Sequence, residues 1–421
     1  MPSEPDPGSA ARAFHLATRH SPESIRRLRH YLDWENYPNL FKVYEGTDRI
    51  PLPPATQMER AGGAAGLEAP DLPGLARLLL LGAGVIRKRT YADGKTFYFR
   101  TYASAGALYP VEVYLACEEL EGLAAGVYHF DPKGRALIPL RTGDHRGHLV
   151  RAGGHEPSLS SAPVILALTG IPGRTGWKYT ERGYRHLFWD AGMILANLLA
   201  LASSVGLTAR VILSFVDAKV ERLLGLDGAK EFPLCLLALG ADGSSSAEGI
   251  DPPLLTLRSA ATSRREVAFE AVTMVNDAGR LADPEAVAAW RERETGLPSA
   301  AGAERIPPVA PTEPIESIER VIGRRGSARA FGRGAIPAEV LSSILGNATR
   351  GVPTDLQPGG DRLTEVFLIA NAVGGLEPGA YVFQAGGFRL LRQGKMREEA
   401  GHLCLDQELG AAAASTHFLM V

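Results

Sequence analysis

Arg100, Ser104, Ala105 and Gly106 open the segment RTYASAGALYPVEVYL (Arg100 to Leu115), where small residues crowd ahead of an apolar run. Small side chains let backbone amides approach a planar or anionic ligand, and an arginine adds a permanent charge. A tight turn capped by Ser104 is the plainer use of the same residues. Lys178 and Tyr179 are adjacent in KYTERGYR (Lys178 to Arg185), which follows strand-like PVILALTG and a glycine-bearing loop. They are two proton-transfer groups, whose pKa values fall when the lysine is desolvated or the tyrosine lies beside a cation. A solvated basic loop is the alternative. Farther on, Arg324, Arg325, Ser327 and Arg329 lie between two helical patterns in SIERVIGRRGSARAFGRGAIPAEVLSSIL. They could grip a phosphate through bidentate hydrogen bonds, or form an exposed basic turn.

Other patterns carry less. LLLLGAGVIRKR gives Gly82-x-Gly84 but has Arg87 at the third position of a dinucleotide loop, so a helix C-terminus is the stronger reading. YASAG lacks the first glycine of a nucleophile elbow, and Pro110 forbids the long helix that should follow. His145 and His148 have no thiolates or carboxylates in register for a metal. No P-loop, paired CxxC or HExxH occurs.

These groups need a scaffold of some size. The 421 residues allow two or three domains, and 45 basic against 47 acidic side chains argue against a nucleic-acid binder. Cys117, Cys235 and Cys404 stand far apart and read as reduced residues of a cytoplasmic protein. The polar N-terminus has no export signal and is expected to be a flexible tail. The apolar stretch from Ala191 to Leu207 reads as a buried core helix, not a membrane span. A helix start at Ser21-Pro22-Glu23 precedes apolar Ile25, Leu28 and Leu32 at helical spacing. Strands are expected at VEVYLACE, GVYHF, PVILALTG, RVILSFV and PLCLLALG, and helices over Tyr184–Val205 and Asp217–Leu224. The mixture favours an α+β fold.

An internal repeat organises the chain. GLAAGVYHFDPKGRALIPL lies over GLEPGAYVFQAGGFRLLRQ, pairing Gly126 with Gly379, Tyr128 with Tyr381, Phe130 with Phe383 and Leu137 with Leu390. Each pair is separated by 253 positions, and the same offset sets SSAPVILAL against the final AASTHFLMV. Two copies of one domain imply an internal pseudo-dimer with a shared site. The second copy reads as truncated at Val421. The expected organisation is an N-terminal helical and extended segment (1–53), a first domain (54–243), a linker with a helix (244–314) and a second, incomplete domain (315–421).

In order and combination, these motifs resemble the flavin-dependent nitroreductase superfamily, in its SagB/ThcOx-type branch of azoline dehydrogenases. SIERVIGRRGSARAF resembles the superfamily's opening phosphate-binding motif. RTYASAGALYPVEVYL followed by GLAAGVYHFD resembles the signature of the branch, and FWDAGMILANLLALASSVGLTARVILSFVD its long core helix and flavin-facing strand. The resemblance implies a nitroreductase-like fold and bound FMN. Arg100 and Ser104 to Gly106 would contact the flavin, while Leu213 and Ser214 would offer backbone amides near its reactive nitrogen. Arg324, Arg325, Ser327 and Arg329 would hold the phosphate or the pyrimidine edge. KYTERGYR resembles the Lys-Tyr pair of azole-forming members, so Lys178 and Tyr179 would be catalytic. The first copy departs from the pattern, with ERAGGAAGLEAP where RRxSxR is expected, and the second reads DLQPGGDRLTEVFL in place of YASAGALYPVEVYL.

The expected activity is FMN-dependent oxidation of thiazoline or oxazoline rings in a ribosomally made peptide, with a cyclodehydratase as the implied partner. An NAD(P)H-dependent reductase of quinones or nitro compounds is one alternative, and a flavin-less docking scaffold is another. Neither nucleic acid nor membrane is an expected partner, and a homo-oligomer is open.

Overall fold

In a computed structural model of the chain, residues 7–21, 23–24, 30–54, 68–92, 94–241, 243–244, 251–293, 316–356, 364–384 and 386–420 are described. Pro22, Ile25 and Leu28, residues 59–67 of ERAGGAAGLEAP and 357–363 of DLQPGGDRLTEVFL lie outside them. The chain divides into two compact units, Met1–Trp290 with Glu316–Arg325, and Arg291–Ile315 with Gly326–Val421.

The first unit contains β1 (Ile50–Pro51), β2 (Val85–Thr90), β3 (Thr96–Arg100), β4 (Val111–Cys117), β5 (Gly126–Asp131), β6 (Ala136–Thr142), β7 (Val164–Gly170), β8 (Ala209–Ile212) and β9 (Phe232–Leu239). Seven form one antiparallel sheet in the order β1-β6-β5-β4-β7-β9-β8, while β2 and β3 make a separate hairpin. Every residue of β4, β7 and β9 is buried, which explains why they read as unbroken apolar runs rather than alternating ones. Alternation survives in which side each residue faces. Val113, Leu115 and Cys117 join one core, and Tyr114 and Ala116 the other.

Helices cover both faces: α1 (Pro7–Thr18), α2 (Leu72–Gly82), α3 (Arg146–Ala152), α4 (Pro157–Ser161), α5 (Pro172–Tyr179), α6 (Gly183–Ser204), α7 (Asp217–Leu224), α8 (Glu270–Gly279), α9 (Pro284–Arg291) and α10 (Ile318–Arg324). The first core takes Leu75 and Leu79 from α2 with Leu187, Ile194, Leu198 and Leu201 from α6; the second takes Leu149 from α3 and Val220 and Leu223 from α7. One face of the apolar stretch from Ala191 is therefore core, whereas Met193 on it is 39% exposed, and Gly206 at φ 72° closes its helix. Gly82 ends α2, as its helix C-terminus reading required, and a side chain there would strike Leu198 Cδ2 at 2.5 Å.

Two expectations need correction. The N-terminus is not a flexible tail throughout, because α1 docks with Phe14 edge-on to Tyr184, their ring centroids 5.4 Å apart. KYTERGYR is not a loop. Lys178 and Tyr179 end α5, Thr180–Arg182 form a single 3-10 turn, and Gly183 starts α6. Pro172 at the first turn pre-sets that helix, and the two glycines mistaken for loop signals lie within it. A side chain at Gly176 would meet the Phe269 ring at 2.2 Å, so close packing requires that glycine.

The second unit repeats the first unit's central strands. β10 (Ile336–Pro337) and β12 (Val373–Gly374) form a parallel pair. β11 (Glu365–Ala370), β13 (Gly379–Gln384), β14 (Gly387–Gln393) and β15 (Ser415–Met420) form a sheet in the order β14-β13-β11-β15. Helix α11 (Ala338–Ala348) packs Leu341 and Leu345 against Val366, Leu368 and Phe383, while α12 (Arg397–Leu403) and α13 (Glu408–Ala412) complete the unit. Tyr114 opposite His129 recurs as Phe367 opposite Val382, and the bulge after Val127 recurs after Ala380. The Tyr128 hydroxyl donates to the Ala124 carbonyl at 2.7 Å, and the Tyr381 hydroxyl to that of Glu377 at 2.6 Å. Gly126, Tyr128 and Phe130 thus correspond to Gly379, Tyr381 and Phe383.

The gapless pairing of Leu137 with Leu390 does not hold. Tyr128 faces Pro139, whereas Tyr381 faces Leu390, so the counterpart of Leu390 is Pro139. β6 begins at Ala136 after β5 ends at Asp131, whereas β14 begins at Gly387 after β13 ends at Gln384, which shortens the second copy by two positions. The shift persists downstream: Leu115 faces Leu166, but Leu368 faces His417.

Candidate active site

β3 delivers Arg100 to a buried position at the end of its hairpin, 2% exposed. Its Nη2 donates to the Leu40 carbonyl at 2.8 Å, and its guanidinium lies over Phe41 and Tyr109, 5.2 and 5.0 Å from the ring centroids. Nε is buried and has no hydrogen-bond partner among the described residues. Beyond Thr101 and Tyr102 the chain turns sharply. Gly106, Ala107 and Tyr109 all have positive φ, at 65°, 55° and 45°. Two of the three are not glycine, so surrounding contacts must hold the turn in place.

Those contacts are specific. The Ser104 hydroxyl accepts the Tyr109 amide at 2.9 Å, and the Tyr109 hydroxyl accepts the Arg100 amide at 3.2 Å. Arg174, buried on α5, donates from Nη1 to the Tyr109 carbonyl at 2.8 Å and pairs with Glu112 on β4 at 2.6 Å. Burial alone would raise the Glu112 carboxyl; Arg174 and His129 outweigh it and hold the group well below the usual carboxylate range. A buried ion pair thus anchors the far end of the turn.

Lys178 and Tyr179 meet the turn from the other side. A side chain at Gly106 would come within 3.0 Å of the Tyr179 hydroxyl and 3.2 Å of Lys178 Cδ, so the absence of a Cβ lets the pair close on the backbone. Lys178 Nζ lies 5.4 Å from the Tyr179 ring centroid. The expectation that a neighbouring cation lowers the tyrosine fails. Burial, then the nearby Asp190, push the Tyr179 hydroxyl up. Its ring stacks edge-on against His186 at 4.2 Å, and burial followed by Arg182 brings that imidazole down to about 4. Near neutrality this corner holds a phenol and a neutral imidazole.

Asp190, on α6, is the residue that motif reading missed. It is 2% exposed, and its Oδ1 accepts the Ala105 amide at 3.2 Å. The signal available was a single carboxylate in the apolar helical run WDAGMILANLL.

The four downstream residues part company. Arg325 belongs to the first unit and donates from Nε to the Thr101 carbonyl and from Nη2 to that of Arg100, both at 3.3 Å. Arg324 is turned to Glu316 at 2.8 Å on the surface. Ser327 and Arg329 are exposed and fall in the second unit. Leu213 and Ser214 follow β8, with Ser214 fully buried. No group of three or more metal-ligating side chains occurs among the described residues.

Arg100 Nε, Thr101 Oγ1 and Asp190 Oδ2 are buried with no hydrogen-bond partner among the described residues, in the segment and helix that bound the glycine turn. Buried polar atoms normally find partners. A planar, hydrogen-bonding ligand is the kind of group such a turn accommodates. Residues 68–241 match the model of the Nitroreductase family. The first unit carries a Nitroreductase family domain. That domain spans Arg100, the turn, the Lys178–Tyr179 pair and Asp190.

The chain is similar to the microcin B17-processing protein McbC of Escherichia coli, 33% identical over 34% of this chain and 54% of McbC. It is also similar to the trifolitoxin-processing protein TfxB of Rhizobium leguminosarum bv. trifolii, 29% identical over 49% of this chain and 60% of TfxB. The chain thus spans little more than half the length of these two relatives. Among solved structures, one from Anabaena variabilis that carries the nitroreductase name superposes with a TM-score of 0.75. It is 25% identical, and the likeness covers 97% of this chain and 84% of that one. The nitroreductase-like fold therefore accounts for both units, and the two sheets of matching strand order are copies of it.

Proposed function

We propose that the chain is an FMN-dependent dehydrogenase that converts azoline rings of a ribosomally made peptide to azoles, with a cyclodehydratase as its partner. The observation that carries the reading is the meeting of Lys178 and Tyr179 with the Gly106 turn, in a chain similar to two peptide-processing proteins. Arg100, Thr101 and Asp190 offer partnerless buried atoms to a flavin, the Ser104–Gly106 backbone offers close approach, and Arg325 steadies the backbone of Arg100 and Thr101. FMN, when bound, supplies the two-electron acceptor for the hydride that the ring loses.

The chain's own residues handle the proton. Azoline-to-azole conversion removes one proton and one hydride from adjacent ring atoms. Because Tyr179 rests as a phenol, Oη takes the ring proton only as its own proton passes to solvent water, which the half-buried side chain can reach, so the group acts as a relay. Lys178 places positive charge beside the ring that becomes electron-rich during that exchange. The neutral His186 edge holds the phenol in orientation. Buried Arg174 and Glu112 keep the turn in place while substrate comes and goes.

The test is azole formation on a thiazoline-bearing peptide in air, read by mass spectrometry as loss of two hydrogen atoms per ring. Lys178→Ala with Tyr179→Phe should lower turnover on the order of 10²–10⁴-fold while bound flavin persists. Unchanged azole formation in the double variant would refute the assignment. Rapid bleaching by NAD(P)H without peptide would instead point to a small-molecule reductase.

A further inference from the structure

A carboxyl group that is 2% exposed on a helix face shared with Leu187, Ala191 and Ile194 is costly unless something uses it. Asp190 differs from the other buried acids of the nitroreductase domain in how it is matched. Glu112 has Arg174 and His129, and Glu231 has Lys42, Tyr114 and Thr169. Asp190 has no ion pair among the described residues; the Ser104 side chain and the Ala105 amide are its hydrogen-bonding neighbours, and Oδ2 itself is buried without a partner of bonding geometry there. Its Oδ1 accepts the amide of Ala105, and the next residue, Gly106, is the one on which the Tyr179 hydroxyl and Lys178 close.

Each neighbouring element contributes a group that acts on this carboxyl or responds to it. Arg100 comes from the end of β3, Tyr102 and Tyr109 from the segment after it, Tyr179 from α5, and Ser104 and Ala105 from the turn. His186 lies one helical turn earlier on α6 itself.

We infer that Asp190 is a positioning residue for the Tyr179 chemistry, in which Oδ1 fastens the turn beneath the tyrosine and Oδ2 is kept for the bound flavin. The second half rests on the flavin reading given above; the first does not. Burial lifts the Asp190 carboxyl to about 7 against the opposing pull of Ser104, Ala105 and Arg100. A neutral carboxyl donates a hydrogen bond and a carboxylate only accepts, so the side chain can serve either kind of ligand atom close to neutrality. Its charge also acts on Tyr179, whose phenol is harder to ionise beside an anion.

Two variants of the full chain test this. Asp190→Ala removes the acceptor for the Ala105 amide as well as Oδ2, and should weaken FMN binding about tenfold, read by quenching of flavin fluorescence. Asp190→Asn keeps an acceptor for Ala105 but no charge. It should lower the Tyr179 titration midpoint, read as the ultraviolet difference between chains with and without Tyr179→Phe. A residue that merely packed would leave that midpoint alone. An Asp190→Ala chain that binds FMN as the parent does overturns the flavin half, and Asp190→Ala and Asp190→Asn chains in both of which Tyr179 titrates unchanged overturn the positioning half. If Asp190→Ala does not fold, FMN titration of Asp190→Asn replaces it, with unchanged affinity and unchanged pH dependence again overturning the flavin half. A parent chain that takes up no FMN would refute the proposed function and the flavin half together, while the tyrosine titration still decides the rest.

Discussion

At the scale of single residues, Gly106 shows how a backbone position can serve chemistry. Its φ of 65° and the 3.0 Å that an added Cβ would leave to the Tyr179 hydroxyl mean that any side chain both strains the turn and pushes the tyrosine away. Gly106→Ala should cost about 1–2 kcal/mol of stability. It should also lower azole turnover more than the stability loss explains, a split that urea unfolding and kinetics on the same preparation would reveal. Asp190 and Asp217 make a second prediction. The folded-state values of Asp190 and Asp217, about 7 and about 6, lie above the ordinary 3.8, burial being the main cause in each. The folded chain therefore holds protons that the unfolded chain has released, and stability falls as pH rises from 3.8 through about 6 for one group and about 7 for the other. Asp190→Asn and Asp217→Asn should each flatten that decline in urea midpoints measured across the window. An unchanged slope in both would contradict the assignment.

At the scale of elements, the site depends on helices that come from distant parts of the chain. Arg77 of α2 is 1% exposed and donates to Glu319 of α10 at 2.9 Å from Nε, and to Ser204 of α6 at 2.9 Å. It joins three helices, and α10 leads directly into Arg325, which touches the carbonyls of Arg100 and Thr101. Arg77→Ala leaves the Glu319 carboxylate without this partner and should cost about 3–5 kcal/mol. Limited proteolysis should then cut near α10 sooner than in the parent. The sequence marked α10 only as a helical pattern before a basic turn. Its N-cap is a local feature, since the Ser317 side chain accepts the Arg320 amide. Its docking on α2 and α6 is not, because an arginine 242 positions from its partner has no local signature.

At the scale of the whole molecule, the chain holds two units with separate cores, one around Phe130 and one around Phe383. These phenylalanines are counterparts in the repeat, and both are 1% exposed. Phe130→Ala and Phe383→Ala should each remove about 3–5 kcal/mol. Calorimetry should show each substitution lowering a different part of the unfolding profile, and a single transition shifted equally by both would contradict separate cores. Most of this architecture was legible. The fully buried strands were readable because sheets covered on both faces demand unbroken apolar runs, and α6 and α7 were bounded by glycines at the expected helix ends. The two-residue slip in the repeat was not, since its flanking residues still align without a gap. Only strand pairing exposes the shortened turn.

The sequence by itself determined what depends on local physics. Residue periodicity, turn chemistry and burial pattern specified the α+β class, the repeat, and the segments at Arg100–Gly106 and Lys178–Tyr179. Tertiary structure decided what depends on approach in space. It made KYTERGYR the end of one helix and the start of another, and brought Lys178 and Tyr179 onto Gly106. It turned Arg325 to the carbonyls of Arg100 and Thr101 and Arg324 to Glu316, and placed the Asp190 carboxyl against Ala105. A proton-transfer group is recognisable from its type, but its pKa and its partner follow from the residues that fold against it.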